Sequence, residues 1–246
     1  MAAGAAGLYL VVARLGPPDL AMVDEVSTTV VDREGRLLRA FTNKEGRWRL
    51  PASPDDVDPR YLSMLMAFED KRFYEHDGVD FYAMMRAAWQ LAANGEIVSG
   101  GSTLTMQVAR LIDRNYGRTG EAKLRQILGA WQLERHLSKR DILSLYLRLA
   151  PFGGNIEGVR AASLAYFGKE PKRLSVGEAA LLVALPQAPE SRRPDRNPKA
   201  ARNARGHVLE RMVDEGVITQ AEADRARLEP VPHERRASPK LAPHLA

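Results

Sequence analysis

Four helix starts are written into this sequence, and they commit most of it to α-structure. Asp58-Pro59 supplies an N-cap followed by proline at the first helical position. Ser138 with Asp141, Ser175 with Glu178 and Thr219 with Glu222 share a three-residue spacing. At that spacing a hydroxyl caps a backbone N–H near the helix start, and the acid answers the cap residue's own N–H. Pro151, Pro186 and Gly216 stand where the helices that follow should end. One stretch reads differently. Between Ser27 and Leu50, STTVVD and RLLRAF flank Arg33-Glu34-Gly35, and β-branched runs around a glycine-containing turn predict a hairpin. No segment repeats with the period of roughly 20 to 50 residues that marks a solenoid. The expected fold class is mainly α, with a small N-terminal β hairpin.

The 246 residues are 45% apolar, enough to bury a sizeable core. Cysteine is absent, which removes disulfides and thiolate metal sites. The net charge of +5 suits nucleic acid, anionic lipid or a pyrophosphate-bearing substrate. No zinc-ligand set or aromatic-basic RNA signature occurs, so nucleic acid is not an expected partner. Ala2 to Ala13 are apolar but shorter than the roughly 20 residues of a membrane span, and no basic region precedes them. They are read as the outer end of a truncated membrane anchor, with a bland helix start as the alternative. The expected organisation is truncated anchor and linker over 1–25, hairpin over 26–51, one main domain over 52–229 and a linker over 230–246.

Three stretches carry chemistry. On the helix after Asp58, Leu62, Leu65, Met66, Glu69 and Phe73 fall on one face by three- and four-residue spacing. A glutamate on an apolar stripe should hold its proton more readily and serve as a general base near neutral pH. Asp70 and Glu75 lie close by and could repel it or bind a cation. Next, Gly100-Gly101-Ser102-Thr103 opens a helix whose expected buried face is Leu104, Val108, Leu111 and Ile112, with Thr103, Gln107 and Arg110 on another face. Glycines allow close backbone approach, the helix N-terminus offers N–H groups to an anion, and Arg110 adds a fixed cation. Between the two, FYAMMRAAWQLAA is either core or a surface that lies against a bilayer. A basic segment of Arg192, Arg193, Arg196, Lys199, Arg202 and Arg205 is either a solvated face or a lipid-facing one. This stretch is read as becoming helical near His207.

These residues resemble, in order, the motifs of glycosyltransferase family 51, the glycan-polymerising domains of class A penicillin-binding proteins and monofunctional transglycosylases. Glu69-Asp70 with Phe73, His76 and Gly78 look like the first motif. Gly100-Gly101-Ser102-Thr103 with Gln107 look like the second, and Lys123 falls on the lysine of the third. Lys139, Ile142, Leu143, Tyr146, Leu147 and Gly153 match the fourth. Gly158, Ala162, Tyr166, Phe167, Gly168 and Lys169 match the fifth. The resemblance covers about Ser27 to Ala200 and is strongest to the penicillin-binding protein 1C branch. Departures are Ala122 and Gln126 at the arginine and glutamate positions of the third motif, Met106 before Gln107, and Arg148 at an asparagine position. Gln126 can donate a hydrogen bond but brings no charge. No Ser-x-x-Lys nucleophile motif occurs, so penicillin binding is not expected.

The resemblance implies a lysozyme-like glycosyltransferase fold at the periplasmic face of the bacterial inner membrane. It also implies lipid II and a growing glycan chain as substrates, and other cell-wall synthesis proteins as candidate partners. Glu69 would be the catalytic base. Asp70, Phe73, His76, Ser102, Thr103, Gln107, Arg110, Lys123 and Gln126 would bind substrate, and Mg²⁺ or another divalent cation is a candidate cofactor. The competing readings are a lytic glycan-cleaving enzyme and a non-catalytic cell-wall scaffold.

Overall fold

The computed structural model describes residues 16–94, 101–113 and 120–237. The apolar run Ala2 to Ala13, Gly100 of the Gly-Gly-Ser-Thr turn, and residues 238–246 lie outside them. Helices, numbered in chain order, are α1 (Ala21–Asp24), α2 (Pro59–Glu69), α3 (Phe81–Asn94), α4 (Leu104–Ile112), α5 (Gly120–His136), α6 (Lys139–Leu149), α7 (Val159–Phe167), α8 (Val176–Ala184), α9 (Pro198–Asp214) and α10 (Gln220–Leu228). Strands are β1 (Thr29–Val31), β2 (Leu37–Ala40), β3 (Trp48–Arg49) and β4 (Ile156–Glu157). The chain is mostly helical with a small antiparallel hairpin, as the helix signals require.

Those local signals act as read. Ser175 and Thr219 accept from the N–H of Glu178 and Glu222, and both acids answer back to the cap residue. Ser138 and Asp141 exchange the same pair of bonds. Asp58 accepts from Arg60 N at 2.9 Å, with Pro59 at the first helical position.

The chain divides into two compact units, each drawn from separated stretches of sequence. One comprises the chain up to Met22 together with Glu69–Tyr146; the other comprises Val23–Phe68 and the chain from Leu147 onward. In the first unit, Val79, Met106 and Ala130 form a dry cluster with Met84, Ile127 and Trp131 packed on it. Gly78 has φ +85°, and a Cβ there would stand 2.9 Å from the Ala130 carbonyl oxygen, so only glycine lets α5 approach this closely. The side-chain amide of Gln132 donates to the carbonyl of Gly16, so residues 16–25 are not a free linker. Val23, where the second unit begins, is buried.

In the second unit, β1 and β2 pair antiparallel with Thr29 opposite Ala40, and a bulge falls between Val30 and Val31. The region expected to be one hairpin ends differently: Trp48 and Arg49 pair in parallel with Ile156 and Glu157. Helix α8 is buried on all sides and packs against α7, α9 and α10, as its almost wholly apolar sequence dictates. Helix α9 starts at Pro198, capped by Asn197, nine residues earlier than the Arg- and Pro-rich composition suggested. The segment after Pro230 is not a loose linker in its described part. Val231 is buried, the N–H of Arg236 donates to Ala165, and Arg235 donates to Gly153.

The basic segment is not one face either. Arg193 is buried on Asp195, and Arg205 is buried with its guanidinium donating to the carbonyls of Glu229 and Arg227. A buried guanidinium needs its N–H groups satisfied, and these two arginines are part of the framework.

Candidate active site

All ten residues singled out for function fall in the first unit. They separate into reactive-looking groups and groups that hold them. Helix α2 ends at Glu69, so Phe73 lies in the turns beyond it and not on the same helix face. The buried stripe of α2 is Tyr61, Met64 and Leu65, one step around from the face read in the sequence. Glu69 is accordingly half-buried at a helix end. Its Oε2 accepts from Gln107 Nε2 at 2.8 Å, which fixes the carboxylate's orientation.

Helix α4 supplies Gln107 and, one turn later, Arg110. Its buried residues are Leu104, Thr105, Met106, Val108 and Ala109, while Leu111 and Ile112 are only partly covered. The half-buried Lys123, on α5, donates to Ser102 Oγ at 2.6 Å. Burial pushes the Lys123 ammonium below its ordinary proton affinity, and the charge of Arg110 pushes it further the same way. The structure therefore sets two cations and a hydroxyl close together, with Arg110 exposed and sharing one short helix with the partner of Glu69. Gln126 is half-buried one turn beyond Lys123 on α5. Ala122, at the family's arginine position, is buried.

Four residues read as substrate ligands are turned inward. Asp70 is buried; it accepts from Leu104 N at 2.9 Å and faces His76 Nε2 at 3.0 and 3.1 Å. Phe73 is 1% exposed and lies under the Lys139 ammonium at 4.7 Å. Thr103 is 2% exposed and acts as the cap of α4, donating to the Gly78 carbonyl and accepting from Met106 N. Asp70 and Thr103 take up open N–H groups at the start of α4, and His76 Nε2 lies on the Asp70 carboxylate.

Sequence reasoning missed Glu134 and Thr105. Thr105 Oγ1 donates to Glu134 Oε1 at 2.7 Å, and Lys139 Nζ reaches the same oxygen at 2.7 Å and the His76 carbonyl at 2.5 Å. No local spacing announces these contacts, although Lys139 itself lay in a recognised motif.

Among the described residues no three His, Asp or Glu side chains converge, and Asp70 accepts from Leu104 N, so a divalent cation here would need oxygen ligands from a phosphate-bearing partner as well.

A family model described as Transglycosylase matches residues 34–213. Penicillin-binding protein 1C of Escherichia coli (strain K12) is 50% identical over 214 residues, 87% of this chain and 28% of that protein. Penicillin-binding protein 1A of Vibrio cholerae serotype O1 is 39% identical over 218 residues, 87% of this chain and 26% of that protein. The chain thus spans little more than a quarter of these curated relatives. Among solved structures, penicillin-binding protein 1A from Haemophilus influenzae aligns with a TM-score of 0.49 at 22% identity, over 87% of this chain and 22% of that one. With a family model over most of its length and relatives of this identity, the chain belongs to the transglycosylase family.

Proposed function

We propose that this chain is a peptidoglycan glycosyltransferase that polymerises lipid II into β-1,4-linked glycan strands and releases undecaprenyl diphosphate. Glu69 takes the proton from the 4-hydroxyl of the acceptor GlcNAc. The freed oxygen attacks the donor MurNAc anomeric carbon, the bond to the diphosphate oxygen breaks, and the configuration inverts. Negative charge then builds on the leaving diphosphate, where prearranged cations lower the barrier. Arg110 and Lys123 have that role, with Ser102 and Gln126 as neutral hydrogen-bonding groups and Gln107 orienting the base.

The observation that carries this reading is the grouping on α4: the amide that holds Glu69 lies one turn from an arginine whose charge adds to burial in lowering the proton affinity of Lys123. Hydrolysis of a finished glycan has no diphosphate to stabilise, so a cation pair grouped with Glu69 through α4 favours transfer over cleavage. A lipid-tailed substrate also calls for a membrane contact. Phe81, Met85 and Trp89 recur at four-residue spacing on α3, and with Tyr82 they are 58 to 74% exposed. That aromatic stripe suits the interfacial region of a bilayer. Among the described residues no helix is long and apolar enough to cross one. Placement at the periplasmic face of the inner membrane follows from the same reading.

The test is polymerisation of lipid II, with and without moenomycin. Glu69→Gln should lose roughly 10² to 10⁴-fold in rate, the range of general-base catalysis. A variant that polymerises at the parental rate removes Glu69 from the mechanism, and shortening of purified glycan strands by the parent would favour the lytic reading.

A further inference from the structure

The helices that bring Gln107, Arg110 and Lys123 to the site, and the loop that follows Glu69, share one carboxylate. Glu134, on α5 with Lys123, has a side chain 9% exposed. Its Oε1 accepts from Thr105 Oγ1, which is fully buried on α4 two residues before Gln107. It also accepts from Lys139 Nζ, which in turn donates to the His76 carbonyl and covers the Phe73 ring. Gly78, at the far end of that loop, is packed so tightly that a Cβ would meet Glu134 Cγ at 3.0 Å.

We propose that Glu134 is a positioning residue for the transfer reaction, joining α4, α5 and the 70–78 loop so that Glu69, Gln107 and the cation pair keep one spacing. This rests on the function proposed above. The physical argument is that a buried acid with two donors on different elements has one geometry that satisfies both. Residues held by such a shell lose rate when it loosens, since a displacement of about 1 Å can cost up to about 10²-fold.

Glu134→Asp keeps the charge but shortens the reach, so it cannot satisfy Thr105 and Lys139 together. In steady-state lipid II polymerisation it should fold with an unchanged near-UV spectrum and lose about tenfold or more in kcat, with KM within about twofold. A purely structural residue would lower the amount of active protein and leave the kcat of the folded fraction alone. Glu134→Gln combined with Lys139→Met removes both charges and guards against a folding failure; it should show the same selective loss in kcat. A second readout needs no turnover. The side-chain amide resonance of Gln107, assigned with Gln107→Ala, should shift in Glu134→Asp, because its donor bond to Glu69 is disturbed. A folded Glu134→Asp with parental kcat, or with an unmoved Gln107 amide, overturns the proposal. If the parent itself fails to polymerise lipid II, the function reading falls, and the amide shift alone decides whether Glu134 sets the geometry.

Discussion

The framework arginines of the second unit and the cation pair at the candidate site of the first are held in different ways. In the second unit three buried guanidinium groups have protein acceptors: Arg49 donates through Nε and an NH2 group to Glu157 at 2.8 and 2.6 Å, Arg193 meets Asp195, and Arg205 donates to two carbonyls. In the first unit Lys123 is bonded to a neutral hydroxyl, and the charge that perturbs it is another cation, Arg110. Matched charges hold a fold together. Like charges held side by side cost stability and wait for an anion, which is the pattern expected where function overrides local consistency.

The comparison breaks first at Glu157. Replacing it with Gln leaves Arg49, fully buried, without its main carboxylate partner, and breaking a buried pair from one side costs about 3 to 5 kcal/mol. Urea unfolding should show that loss, while the polymerisation rate per folded molecule stays near parental. A small loss in stability would mean that the arginines of this unit are not its framework. Arg110→Ala should do the reverse. Removing one group that stabilises developing charge costs about 10² to 10³-fold in kcat/KM, and the exposed Arg110 leaves no buried partner behind and takes a like charge away from Lys123, so resistance to urea should hold or rise slightly. A large stability loss with intact activity would reassign Arg110 to the fold.

Much of this contrast was invisible before the structure. Helix starts were legible because a cap and its box lie within three residues, and Ser175, Thr219 and Ser138 all behave as their spacing says. Glu69 and Gln107 were both picked out, but not their contact across 38 positions. Strands of two residues carry no period, so the pairing of Trp48 with Ile156 had no signal at all. The arginine run misled because composition gives charge and not partners: Arg193 and Arg205 are buried where Arg202 is exposed. The internal bonds of Asp70, His76 and Thr103 were equally hidden, because polar residues beside a glycine turn look alike whether or not a helix start uses them. Glu134 went unread because its two partners, Thr105 and Lys139, lie on other elements.

The smallest expected effect lies in pH, and it tests the cation pair most directly. Burial and then Arg110 hold the Lys123 proton affinity below the ordinary lysine value of 10.5. Between the lowered folded value and the ordinary unfolded one, the unfolded chain binds more protons, so stability should rise with pH across that window. The penalty for keeping Lys123 charged is present at neutral pH and is relieved as the ammonium loses its proton in the folded state. Activity should move in the opposite sense, because a neutral Lys123 no longer stabilises the diphosphate. The alkaline limb of kcat/KM, which reports groups of the free enzyme, should therefore begin below the usual lysine range. Lys123→Arg keeps its charge at any accessible pH, so it should push that limb upward and abolish the rise in stability. An alkaline limb that stays in place in Lys123→Arg would mean that some other group sets it. Lys123 would then be a helix-surface cation of the kind the second unit pairs away, and the contrast between the units would lose its clearest member.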